Sequence, residues 1–169
     1  MAQFEIKDGV AIIPEGTTEI GYQAFYKCTL LESITIPDGV TKIGWDAFFC
    51  CTSLKSIIIP DSVTKIGMNA FSHCTSLECI TIPESVTYIG SEAFSGCISL
   101  KSIIIPESVE CIGREVFSGC TSLTSIIIPK TVTNLNYSLF DGCTSAIDRY
   151  YEGTEAEWRM VSGSTNITF

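Results

Sequence analysis

Proline recurs in this chain at a single interval: Pro14, Pro37, Pro60, Pro83, Pro106 and Pro129 are all six prolines of the sequence, each 23 residues from the next. Read from its proline, one unit runs Pro, acid, x, Val, Thr, x, Ile, Gly, x, x, Ala, Phe, x, x, Cys, x, Ser, Leu, x, x, Ile, x, Ile. Self-similarity at a period of roughly 20 to 50 residues predicts a solenoid, because one unit cannot bury its apolar face except against copies of itself. Ordering a unit costs on the order of 1 to 2 kcal/mol per residue, while each buried apolar side chain returns roughly 1.5 to 3 kcal/mol, so a lone unit is unfolded.

Within the unit, the segment before each proline alternates and is rich in isoleucine, as in Ser56 to Ile59 and Ser102 to Ile105. It reads as a short strand with Ile57 and Ile59 inward and Ile58 outward. Proline ends that strand because it has no N–H to give the ladder. Val63 and Ile66 then point inward from a second short extended piece, and Gly67 permits a turn. Ala70, Phe71 and Cys74 fall at a spacing that suits one helical turn over Met68 to Cys74, and Leu77 leads into the next strand.

With 10 basic and 19 acidic residues the net charge is −9, which repels phosphate backbones and anionic membranes and disfavours nucleic-acid binding. No apolar run approaches the roughly 18 residues of a spanning helix, so no membrane insertion is expected. Six of the nine cysteines, Cys28, Cys51, Cys74, Cys97, Cys120 and Cys143, share one repeat position and read as small buried fillers in a ladder along the axis. Parallel neighbours at identical positions make poor disulfide geometry, which favours reduced thiols. Cys50, Cys79 and Cys111 lie off the ladder.

The pattern SLKSIIIPDSVTKIGMNAFSHCTSL at residues 53 to 77 resembles the BspA-like leucine-rich repeat family, since Ile-Pro, Ile-Gly and Ala-Phe-x-x-Cys recur together over about four fifths of the chain. The resemblance implies a right-handed leucine-rich-repeat coil with a parallel sheet of short strands, second short extended segments and short helical turns, capped at both ends. It also implies a bacterial or protist surface protein that binds other proteins. One continuous domain is expected: a hairpin-like cap over 1–13, built around Lys7-Asp8-Gly9, six stacked repeats over 14–146, and a C-terminal cap over 147–169. In the sixth repeat Leu135-Asn136 replaces Ile-Gly, Leu139 replaces Ala and Ala146 replaces Leu, and Thr154 with Glu157 then forms a capping box for a short helix carrying Trp158. Met1 to Val10 lacks the basic and apolar regions of a signal peptide. That and the odd cysteine count lean toward an intracellular chain or a trimmed one, whereas the resemblance implies export.

Chemistry finds little footing. His73, the one histidine, stands beside Cys74, but its position is Gly in three other repeats and Lys or Cys in the remaining two, and Cys74 belongs to the inward ladder. A zinc set from Cys50, Cys51, His73 and Cys74 would draw on two of those ladder cysteines. No enzyme, cofactor or metal is expected. Acids follow the proline at Glu15, Asp38, Asp61, Glu84 and Glu107, either as a solvated rim or as an attractant for a cation or a basic partner. Sequons at Asn136 and Asn166 matter only in a glycosylating source.

Function in a solenoid lies where repeats differ. The position after Ile-Gly reads Tyr22, Trp45, Met68, Ser91, Arg114, Tyr137, and four residues later the chain reads Tyr26, Phe49, Ser72, Ser95, Ser118, Asp141. If both positions share a face of a helical turn, Tyr22, Tyr26, Trp45, Phe49 and Met68 form one patch, either a protein interface or a cover for the core near the N-terminal cap. A second candidate is the outward strand row Ile12, Thr35, Ile58, Thr81, Ile104 and Ile127, which suits strands, a partner, or pairing between copies of the chain. The expected function is protein recognition by rigid display, of an adhesive or surface type. The competing reading is a structural spacer or self-associating scaffold.

Overall fold

A computed structural model describes residues 4–133, 137–145, 148–154 and 156. The chain is a β-solenoid in which each 23-residue coil stacks on the last, and the sheet register repeats that interval: Ser33 pairs with Ser56, Ile34 with Ile57 and Thr35 with Ile58. One wall holds β1 (Glu5–Lys7), β2 (Val10–Ile12), β4 (Ser33–Thr35) and β6 (Ser56–Ile58), continued by a bridge from Ile58 to Thr81. Further along, β9 (Ser102–Ile104), β11 (Ser125–Ile128) and β12 (Asp148–Tyr151) form the rest of this wall as a separate hydrogen-bonded sheet. A second wall holds β3 (Glu19–Ile20), β5 (Lys42–Ile43), β7 (Lys65–Ile66), β8 (Tyr88–Ile89) and β10 (Cys111–Ile112). All these pairings are parallel except β1 with β2, an antiparallel hairpin whose Asp8 and Gly9 both take positive φ.

The helical turn expected over Met68 to Cys74 is absent; that stretch is a run of tight turns in every coil from the first to the fifth. In the first coil the N–H groups of Gln23, Phe25 and Lys27 donate to Trp45, Ala47 and Phe49 of the following coil at 3.0, 2.7 and 2.7 Å. The alternate N–H groups of Ala24, Tyr26 and Cys28 donate three residues back within their own coil. Left-handed φ at Gln23 and Lys27 produces this alternation and recurs at Asp46 and Cys50 and at Asn69 and His73. A helix would spend every donor inside the coil, whereas this arrangement commits half of them to the neighbour and so makes a third bonded wall. In the sixth coil a 3-10 helix, Tyr137–Phe140, takes its place. The donors of this wall face the C-terminal end of the array. At the margins of the two sheets most face the other way, as in Gly44 N to Ile20 O at 2.7 Å and Lys55 N to Glu32 O at 3.2 Å, with Ile105 N to Ile127 O at 3.0 Å an exception.

Inside, the isoleucines behave as their alternation predicts: Ile57 and Ile59 are buried and Ile58 is exposed. Phe25, Phe48, Phe71, Phe94 and Phe117 stack nearly parallel at centroid spacings of 5.1 to 5.8 Å, with Phe4 and Phe140 continuing the column at its ends. The ladder cysteines are more than fillers. Cys51, Cys74, Cys97 and Cys120 each donate S–H to the carbonyl of the phenylalanine 26 residues earlier, at 3.1 to 3.2 Å. Gly67 is required for a different reason than a turn. A Cβ there would stand 2.7 to 2.8 Å from the backbone of Gly44 and Trp45, and Gly90 and Gly113 meet the preceding coil more tightly still. The decayed positions Leu135, Asn136 and Ala146, the pair Glu157 and Trp158, and Asn166 lie outside the described residues.

Candidate functional site

The inward positions repeat from coil to coil, so the outward rows carry what is individual. Trp45 and Met68 follow Gly44 and Gly67, which press on the preceding coil, and Tyr22 follows Gly21, on which Gly44 presses; at all three the chain leaves the second sheet and the next residue turns it by a left-handed φ. They are 66%, 55% and 38% exposed, and Ser91 and Arg114 continue their row. Tyr22 and Trp45 wall a shallow recess of about 320 Å³ floored by Gly21 and Gly44, and Glu19 and Lys42, outward from β3 and β5, complete its lining. A flat apolar ring beside one carboxylate and one ammonium suits a peptide or protein surface better than a buried small molecule.

Tyr26 and Phe49 sit apart from that row. They are half-buried and stacked on each other at 5.2 Å and 11°, with Lys27 Nζ 5.2 Å from the Tyr26 ring and His73 edge-on to Phe49 at 5.7 Å. No ring contact joins this stack to Tyr22 or Trp45 among the described residues. Spacing of four brings side chains together on a helix, and the segment is not helical. Between the two strips in sequence runs a polar row in which the Asp46 carboxylate accepts from Gln23 Nε2 at 3.3 Å and Asn69 Nδ2 at 3.1 Å, tying the first three coils together. Ser72, the third member of the Tyr26 row, is buried.

On the first wall Ile58 and Ile104 are 70% and 61% exposed, Ile12, Thr35 and Thr81 are exposed, and Ile127 is half-buried beside β12. The ladder is interrupted between the Thr81 row and β9, leaving a recess lined by Cys79, Thr81, Ser102, Ile104 and Pro106. Along the rim of this face, five residues before each proline, stand Glu32, Lys55, Glu78 and Lys101. Lys55 Nζ lies 3.2 Å from Glu32, and Lys101 Nζ lies 2.8 Å from Glu78. The hydrogen bond and charge of Lys101 hold the Glu78 carboxyl below its ordinary value and raise Lys101 in turn. The sequence reading missed this alternation of sign, although comparing one repeat position along the chain exposes it.

Nucleophilic chemistry is poorly served. Cys74 is buried and donates to Phe48 O at 3.1 Å, and burial pushes its thiol well above the ordinary range. Burial does the same to Cys97 and raises Cys120 to about 12. His73 is exposed outside the coil while Cys74 points inward, so the two do not form a pair. All nine cysteines are free thiols, and among the described residues no three His, Cys, Asp or Glu side chains converge as a metal site requires. Glu15, Asp38, Asp61, Glu84 and Glu107 are exposed along their edge. No helix among the described residues is long and apolar enough to cross a membrane.

Comparison with known proteins fits this geometry. Residues 11–147 match, in six copies, the BspA type leucine rich repeat region. A leucine rich cell surface protein from Faecalibacterium prausnitzii is 38% identical, with a TM-score of 0.72 over 82% of this chain and 36% of that one. A leucine rich repeat protein of T. pallidum is 36% identical, with a TM-score of 0.80 over 85% of this chain and 70% of that one. One from Bacteroides ovatus is 34% identical, with a TM-score of 0.67 over 82% of this chain and 42% of that one. The chain thus spans about a third of the Faecalibacterium protein's length. A comparison with curated proteins gave no match.

Proposed function

The chain belongs to the BspA-type leucine-rich repeat family, and from that premise we propose that it is a non-enzymatic protein-recognition module of the adhesive, cell-surface kind, holding a protein partner on a rigid solenoid face. The observation that carries this reading is the exposed row Tyr22, Trp45 and Met68 over an interior that does not need it. The same coil position holds Ser91 and Arg114 further along over a core that stays fully buried, with Val116 for alanine in the fifth coil, so the large apolar side chains are not required for folding. Stacked coils fix these side chains before any partner arrives, which keeps the ordering cost of association low. Tyr and Trp at an exposed, anchored position are the residue types on which binding energy concentrates.

The test is affinity capture from lysate of the source organism and from a panel of host matrix proteins. Tyr22→Ser with Trp45→Ser is compared against the native chain and against Ile58→Lys. A protein that binds the native chain and Ile58→Lys but not the double variant supports the reading. A protein lost only with Ile58→Lys moves recognition to the strand face, and equal capture by all three rejects both faces.

A further inference from the structure

The strand face goes beyond that reading, because its outward rows fit a copy of themselves. Following the first wall, successive coils carry Glu32, Ser33 and Thr35, then Lys55, Ser56 and Ile58, then Glu78, Cys79 and Thr81, then Lys101, Ser102 and Ile104. The interior repeats every coil, but this face repeats every second coil: a negative rim residue goes with a small outward side chain, and a positive one with a large one. We infer that two copies of this chain associate face to face through the first wall as an antiparallel, two-fold symmetric dimer.

A two-fold axis lying between the sheets and parallel to the strands reverses the order of the coils and keeps each position along the strand. With the axis between the Ile58 row and the Thr81 row, Glu32 faces the second copy's Lys101 and Lys55 faces the second copy's Glu78. In the same operation Thr35 lies against the second copy's Ile104, Ile58 against its Thr81, and Ile12 against its Ile127. Each large aliphatic group in the central rows therefore meets a threonine, as interdigitation at a sheet spacing of about 10 Å needs. The recess beside Thr81 lies next to the place where the second copy's Ile58 arrives. The rows run β1, β2, β4, β6, the Thr81 row, β9, β11 and β12, so this axis also overlaps the whole wall, with β1 opposite β12.

Sliding one copy by a single coil would set Glu32 against Glu78 and Lys55 against itself. The register is thereby fixed by charge as well as by overlap. The ion pairs within each copy do not use up these groups: Lys55 and Glu32 keep 65% and 58% of their side-chain surface exposed, and Lys101 and Glu78 keep 66% and 58%. An ammonium has three donors and a carboxylate several acceptor sites, so each can serve a neighbour in its own copy and another across the interface.

The experiment is sedimentation equilibrium of the whole chain over a concentration series, on the native protein, Lys55→Glu, Glu78→Lys, and an equimolar mixture of the two variants. The native chain is expected to fit a monomer–dimer equilibrium that weakens as salt is raised. Each variant alone sets like charges across the axis and raises the dissociation constant about tenfold or more. The mixture restores both contacts and regains the native dimer, which no general loss of folding would produce. Far-ultraviolet circular dichroism confirms that the variants keep their sheets. A native chain that stays monomeric throughout, or single variants that dimerise as the native chain does, would overturn the proposal. So would a mixture no tighter than its components.

Discussion

Coils one to three and coils four and five share an interior but differ at the corners of the turn wall. At the second left-handed position of the turn, Lys27, Cys50 and His73 hold φ of 56°, 57° and 58°, whereas Gly96 and Gly119 hold 70° and 69°. A side chain in that conformation costs on the order of 1 to 2 kcal/mol, and glycine takes it without that cost. The strained corners are also the decorated ones, with Lys27 over Tyr26, His73 against Phe49, and Tyr22, Trp45 and Met68 alongside. The bare corners follow in coils four and five, where the rows read Ser91 and Arg114, and Ser95 and Ser118. At the first left-handed position every one of these coils keeps a side chain, Glu92 and Glu115 at φ of 57° and 56° included, so the strain is relieved at the second position alone.

If the two halves share one interior, Phe71→Ala and Phe94→Ala should be equally damaging, each lowering stability by about 3 to 5 kcal/mol in chemical denaturation. A much smaller loss at Phe94 would break the comparison. The thiols test the same equivalence through pH. Cys120 has a folded pKa of about 12 against an ordinary 9.0, so its protonated form is favoured in the folded state. That contribution is fully present below pH about 9 and is lost as pH rises toward 12, amounting to something on the order of 4 kcal/mol. Urea titrations at rising pH should show the decline, and Cys120→Ala should lessen it by that residue's share while Cys74 and Cys97, raised by the same burial, keep theirs.

Smaller effects sharpen the contrast at the corners. Gly119→Ala should cost about 1 to 2 kcal/mol by forcing a Cβ into the left-handed region. Gly96→Ala should cost more, since its Cβ would fall 2.4 Å from His73 Nδ1. His73→Gly should come out near neutral or slightly stabilising, because relief of φ offsets the lost contact with Phe49. Smallest of all, Lys55→Met removes an exposed ion pair and, at concentrations low enough to keep the chain monomeric, should move thermal stability by less than about 1 kcal/mol.

The solenoid was legible because Pro and Ile-Gly are forced: a proline ends a strand, and a glycine is the only residue that fits where one backbone presses on another. The identity of Gly67 was therefore readable while its reason was not, since a turn and a close approach leave the same letter. The turn wall was misread because Ala70, Phe71 and Cys74 have helical spacing and the residues in left-handed φ, Asn69 and His73, carry no glycine to announce it. That error grouped Tyr26 and Phe49 with Tyr22 and Trp45. The outward isoleucines were placed correctly by alternation alone. The sign alternation of Glu32, Lys55, Glu78 and Lys101 is present in the sequence, but a consensus averages it away.

The opposed hydrogen-bond directions of the walls have an electrostatic consequence. In an α-helix every peptide dipole points one way and the ends acquire opposite partial charges. Here the N–H groups that bridge coils in the turn wall face the C-terminal end while most of those at the margins of the sheets face the N-terminal end. Their axial components oppose one another, so lengthening the array builds less of a field along it than lengthening a helix does. Long-range attraction and repulsion then fall to the side chains. With a net charge of −9, two such rods meet on the merits of whichever faces they turn toward each other.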